Sequence, residues 1–190
     1  MRAMGRRDLR AWMKSRPDHR RFTVVSHPLM RAHRAFCSKI LFRRPGSYLR
    51  IRRLLRRTFG LDIPDMFPDP GYALEDHRKA FEVFLAFLQA NLAGQTGVRV
   101  DAYWCSQAKA IQGFSNFAPP DFIFRDEDID RDLPALAQRL HLPPASVPAS
   151  ADVETPYSLS DIYCEDLEAG ARAVYQTDYD LFGYEAWQSD

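Results

Sequence analysis

The chain has 190 residues, 46% of them apolar and 13% aromatic, with 26 Lys and Arg against 25 Asp and Glu; this predicts a single domain, residues 1–190, with enough apolar surface for a core. There is no run of about 18 apolar residues of the kind that spans a bilayer, and the arginine-bearing start has no apolar stretch behind it, which argues against a secretory signal. Cys37, Cys105 and Cys164 are odd in number and far apart, without metal-ligand spacing, so reduced thiols in a cytoplasmic protein are expected and no metal is implied.

The net charge of +1 hides an asymmetry. Residues 1–60 carry 18 basic and 2 acidic side chains, and residues 61–190 carry 8 and 23, which makes the two parts +16 and −15. Either the two parts pack against one another, or the basic part faces an anionic partner.

In chain order, Asp8 to Arg16 predicts a short basic helix around Leu9, Trp12 and Met13, within an amino-terminal segment 1–21. Phe22 to Val25, β-branched and aromatic, predicts a buried strand, and Ser26 or His27 caps a helix that has Pro28 at its first position. The amino end of such a helix presents free amides and the positive end of its dipole, so it is suited to an anion. His27, Arg31 and Arg34 fall at i, i+4 and i+7 and share a face, while Leu29, Ala32, Phe36 and Ile40 form the opposite, apolar one. The plainer reading is an amphipathic helix with solvated arginines.

Leu49 to Phe59 predicts a helix whose Arg50, Arg52, Arg53, Arg56 and Arg57 form a basic face, suited to phosphates or simply solvated. Asp62 to Gly71, with three prolines, is a loop. Ala73 to Leu92 places Phe81, Phe84, Leu85, Leu88 and Leu92 on one stripe, with Glu75 and Asp76 in the first turn, and reads as core. Phe122 to Phe124 is a second short strand, followed by a helix from Ile129 to Leu140 with Asp128 as its cap. Pro143 to Pro156 is a second loop before a carboxyl-terminal helix. The histidines, His19, His27, His33, His77 and His141, are scattered, and only His27 has a functional context.

Several of these stretches resemble motifs of the sulfotransferases that use 3′-phosphoadenosine 5′-phosphosulfate (PAPS). The strand and helix from Phe22 to Phe36 are similar to that family's 3′-phosphate element. Tyr175-Gln176-Thr177-Asp178-Tyr179-Asp180-Leu181-Phe182-Gly183-Tyr184 is similar to the close of its carbohydrate-type and nodulation-type branch. Tyr103-Trp104-Cys105-Ser106-Gln107 resembles its Trp-x-x-Gln stretch, and Asp121 to Glu127 its late strand and acidic turn. The resemblance covers residues 22–187. It implies an α/β, P-loop-like sulfotransferase fold, helix-rich with a small, mostly parallel sheet. It also implies sulfuryl transfer from PAPS to a hydroxyl or amine of a carbohydrate or lipid-linked acceptor, with Ser26, His27, Arg31 and Arg34 as cofactor-binding residues. The absence of an apolar anchor favours a bacterial-style cytoplasmic member.

The departures are specific. Where the family has Arg in the turn and Ser on the helix, this chain has Ser26 and Arg34. No strand and 5′-phosphosulfate loop precede Phe22, so the fold is expected to be truncated or divergent at that end, and the chain is expected to be inactive alone if the loop's preorganised donors are missing. Tyr103 occupies the position of the family's base, and a phenol titrating near ~10 is poorly suited to that role. No catalytic residue is assigned. Two further readings stay open. One is a non-catalytic remnant that binds anions or a protein; the other is a basic nucleic-acid-binding module, disfavoured by the absence of zinc spacing and of an aromatic platform motif.

Overall fold

The computed structural model describes residues 5–115, 118–143, 147 and 154–188. Among them are eight α-helices and a two-stranded parallel sheet, an α/β arrangement dominated by helix. No described helix is long and apolar enough to cross a membrane.

Helix α1 covers Arg6–Lys14, two residues earlier than the sequence predicts. Asp8 is the cause, because its carboxylate accepts from the Gly5 amide at 3.1 Å and so closes the first turn from inside the helix. Strand β1, Phe22–Val25, pairs in parallel with β2, Phe122–Arg125, with Phe22 opposite Phe122 and Val25 opposite Arg125. The Asp121 carboxylate accepts the Arg21 amide at 2.8 Å and pins the entry of both strands.

The expectation of a buried strand holds only at Val25. Phe22 and Val24 are 48% and 40% exposed. Alternate residues of a strand point to opposite faces, and the face carrying Phe22 and Val24 is left to solvent.

Helix α2 spans Pro28–Ala35 and widens into a π-helical turn, Phe36–Leu41. Helix α3, Leu49–Leu54, widens in the same way over Leu55–Phe59 and stops at Gly60, whose φ of 72° an L side chain rarely adopts. The basic face predicted here loses one member, since Arg52 turns inward and is buried. Helix α4, Leu74–Leu92, is the central core element. Phe81, Phe84, Leu85 and Leu88 are buried as the stripe predicts, and Phe87 is buried as well, so α4 is covered on two sides.

Helix α5 runs Gln107–Ser115. Helix α6 runs Ile129–Arg139 after a short 3₁₀ turn, and Asp128 does not cap it: Asp128 has helical backbone angles, and its carboxylate pairs with Arg131 at 2.9 Å. Of the second predicted loop, residues 144–146 and 148–153 lie outside the described residues. Helix α7 is a single turn, Leu159–Ile162, capped by Ser158.

Helix α8, Glu165–Phe182, kinks at Tyr175 and packs against α2 and α4. At Gly170 a Cβ would lie 3.3 Å from Leu85 Cδ1, so the glycine sets the close approach of α8 to α4. Among the fully buried side chains at the centre are Leu29, Phe36, Phe81, Phe84, Trp104 and Tyr179.

Candidate functional site

The carboxyl ends of β1 and β2 and the amino end of α2 open into a cleft of about 880 Å³, bordered by His27, Arg34, Arg125, Glu127, Tyr184 and Trp187 among others. In α/β folds ligands favour this end of parallel strands. The four residues assigned by sequence meet different fates around it.

His27 caps α2. Its Nδ1 accepts from the Leu29 amide at 3.3 Å, so the Nε2–H tautomer is present and donates to the Glu185 carbonyl at 3.1 Å. The ring is buried, with Tyr179 and Tyr184 meeting it edge-on. Desolvation lowers its pKa below the ordinary imidazole value. The unfolded chain therefore binds a proton at His27 before the folded one does. The stability contributed by the neutral ring is complete above pH ~6.5 and declines as the pH falls from there toward the lowered folded value. Thermal melts from pH 7.5 down to pH 5 are expected to show a falling midpoint, with a shallower fall in His27→Asn. An unchanged slope in that variant would show that His27 does not take part.

At the helix amino end, the His27 amide donates to Glu127 Oε1 at 3.2 Å. Burial, reinforced by neighbouring Asp126, raises the Glu127 pKa. An internal carboxyl group thus lies where the sequence expects a ligand's phosphate.

Ser26 uses its backbone. Its amide donates to Gln107 Oε1 and its carbonyl accepts from Gln107 Nε2, both at 2.9 Å, so the Gln107 amide pairs with it as a strand neighbour would. Arg31 turns away from Arg34 and donates to the carbonyls of Cys105 and Ala102, both at 2.7 Å. Arg34 is the exposed one and pairs with Asp126 at 3.2 Å. His27 and Arg34 therefore border the cleft, and Arg31 does not.

The charge around the cleft is mostly negative. Asp126, Glu127, Asp128, Asp130 and Glu185 face Arg34 and Arg125. Arg125 is already engaged, donating to the carbonyls of Phe182 and Gly183 at 2.6 and 2.7 Å, where it caps the end of α8.

The motif residues of the middle and carboxyl segments bond to one another and, through Gln107 and Tyr184, to the end of β1. Trp104 is fully buried and donates to Asn91 Oδ1 at 2.9 Å. The Tyr175 hydroxyl donates to the Trp104 carbonyl at 2.8 Å, and that of Tyr184 to the Val25 carbonyl at 3.1 Å. Asp178 accepts from Ser106 Oγ and from the amides of Gln107 and Ala108. Tyr103 is half exposed under the Lys39 ammonium, 3.8 Å from its ring centre.

The asymmetric charge is partly met across the molecule, by Arg21 with Asp121, Arg34 with Asp126 and Arg44 with Glu154. Arg43, Arg50, Arg53 and Arg57 are exposed, and among the described residues no carboxylate lies within ion-pair distance of them. Arg50, Arg53, Arg56 and Arg57 border a shallow groove of about 450 Å³, in which, among the described residues, only Arg56 has an acidic partner, Asp65 at 2.7 Å.

The structure also joins three residues that sequence reasoning kept apart: His33, Cys37 and His77, all buried. Burial pushes the His33 pKa down to about 3 and the His77 pKa to about 4, and the Cys37 thiol up to about 12, so the trio is uncharged at neutral pH. The His33–Cys37 spacing of four on one helix was the visible signal. His77 carried none.

Comparison of the chain with protein-family models, curated proteins and solved structures finds no match.

Proposed function

We propose that this chain is a non-catalytic, anion-binding protein, and that its anion-binding surface is the arginine face of α3 rather than the amino end of α2. The observation that carries this reading is a contrast in neutralisation. Glu127 already accepts from the amide of His27, the cap of α2, whereas Arg50, Arg53 and Arg57 point to solvent with no acidic partner among the described residues. Among the described residues the groove between them is bordered by arginines and by no aromatic ring. That lining suits sulfate or phosphate groups on a flexible saccharide chain and offers no stacking surface to bases.

The test is calorimetric titration with a sulfated oligosaccharide at low and at physiological salt, with single-stranded RNA as a second arm. Each exposed arginine contributes on the order of 0.5–1 kcal/mol. Arg50→Gln/Arg53→Gln/Arg57→Gln together are therefore expected to weaken saccharide binding roughly 10- to 100-fold, with a reduced salt dependence. Equal affinity of wild type and triple variant would refute the assignment. Tighter binding of RNA would move the ligand class to nucleic acid.

A PAPS-dependent sulfotransferase, with the P-loop-like fold of that family, is the second reading. It is supported by the way Gln107, held by Asp178, and Tyr184 both reach the end of β1. Against it stand the acidic cleft and the engagement of Arg31 by backbone carbonyls. Titration with 3′-phosphoadenosine 5′-phosphate separates the two readings. No micromolar binding is expected; binding that disappears in Arg31→Ala and Arg34→Ala would establish the cofactor site and replace the first reading with the second.

A further inference from the structure

Helix α2 ends in the wide turn Phe36–Leu41, and the first turn of α4 crosses beside it. This crossing brings His33 Nε2 to 3.0 Å from His77 Nε2 and to 3.5 Å from Cys37 Sγ, and all three atoms lie within 4.8 Å of one another. The residues are 4%, 0% and 1% exposed, respectively.

From these positions we propose that His33, Cys37 and His77 form a buried site for a thiophilic d-block metal ion, Cu⁺ or Zn²⁺. Metal–nitrogen bonds of ~2.0–2.1 Å and metal–sulfur bonds of ~2.3 Å, at tetrahedral angles, imply N···N of about 3.3 Å and N···S of about 3.6 Å. The observed 3.0 and 3.5 Å lie within a few tenths of an ångström of those values. The separation of Cys37 from His77, at most 4.8 Å, closes by about 1 Å when an ion draws the thiolate in.

The surroundings are those of a ligand set. Tyr72 Oη lies 3.1 Å from His77 Nδ1, so a proton on Nδ1 leaves the Nε2 lone pair directed at the ion. Thr155 Oγ1 lies 3.4 Å from Cys37 Sγ, and its own hydrogen is committed to the Tyr157 carbonyl at 2.5 Å. It keeps a lone pair for a fourth coordination position. The rings of Phe36, Phe81 and Tyr157 pack against the two imidazoles and keep the site dry.

Binding replaces the Cys37 thiol proton by the ion and releases that proton to solvent, with no change of oxidation state. With two neutral imidazoles and one thiolate, Cu⁺ leaves the site uncharged and Zn²⁺ leaves it at +1. An uncompensated buried charge is costly, and soft thiolate ligands suit Cu⁺, so the charge count places Cu⁺ first.

The experiment uses the full chain under anaerobic reductant. One arm adds Zn²⁺, a second adds Cu⁺ buffered by a chromogenic chelator, and metal is measured by mass spectrometry after desalting. One ion per chain is expected, with a thiolate-to-metal absorption band in the Cu⁺ arm and a thermal midpoint raised by several degrees. Cys37→Ser is expected to abolish the band and His77→Gln to weaken retention more than 10-fold, while Cys164→Ser retains both. Substoichiometric metal in both arms, with an unmoved wild-type midpoint, would overturn the site whatever the variants do. Preferential retention of Zn²⁺ would overturn the charge argument for Cu⁺.

Discussion

Asp178→Ala is expected to destabilise the protein by roughly 3–5 kcal/mol, because two buried backbone amides and a hydroxyl lose a charged acceptor together. The carboxylate is fully buried and accepts from Ser106 Oγ at 2.6 Å, the Gln107 amide at 2.8 Å and the Ala108 amide at 3.0 Å. It caps α5 from another helix and places negative charge at that helix's positive end. The consequence travels further than α5. Gln107, held there, is the residue whose amide pairs with both backbone groups of Ser26 at the exit of β1. In a domain of this size the thermal midpoint should fall by about 10 °C or more. Asp178→Asn keeps one accepting oxygen but turns an amide nitrogen toward donors, so an intermediate loss is expected. Asp180→Ala, two residues on and exposed, is the control and should stay within ~0.5 kcal/mol. A midpoint for Asp178→Ala within two degrees of wild type would refute this account of how α5, α8 and β1 are joined.

Arg52 is expected to be a comparably costly position. Its guanidinium is buried and donates to the carbonyls of Ile40, at 2.9 Å, of Leu41 and of Pro64. The first two lie at the end of the π-helical turn after α2, where carbonyls have no partner further along the helix. Desolvation, and then the neighbouring Arg56, lower its pKa to about 10, which leaves it charged at neutral pH. Arg52→Ala is expected to lose about 3–5 kcal/mol, through unpaired carbonyls and a cavity. Arg52→Met fills the volume without the donors and so isolates the hydrogen-bond part. Arg52→Lys should not rescue, because a single ammonium cannot fork between two chain segments. Chemical denaturation of the three variants checks this. Arg50→Ala and Arg53→Ala, on either side and exposed, are expected to leave stability unchanged while weakening anion binding.

These two positions show where sequence reasoning reaches its limit. Arg50, Arg52 and Arg53 are the same residue type within four positions of one helix. A basic face was legible, but the carbonyls of Ile40 and Leu41, at the end of the widened turn after α2, and that of Pro64 decided which arginine turns inward. The amino end of α2 was legible as well: Pro28, the His27 cap and the apolar run of Leu29, Ala32 and Phe36 all follow from local rules. That Glu127, one hundred residues away, would supply the carboxyl group there was not.

The amino-acid order alone therefore determined β1, α2, the stripe of α4 and the second strand, because those depend on neighbours within four residues along the chain, and it carries the segregation of charge as a difference in composition between residues 1–60 and 61–190. Three-dimensional packing decided which charges are neutralised, which arginine is buried and that His77 meets His33 and Cys37. Each of those outcomes depends on distances between elements far apart in the chain, and no local periodicity encodes them.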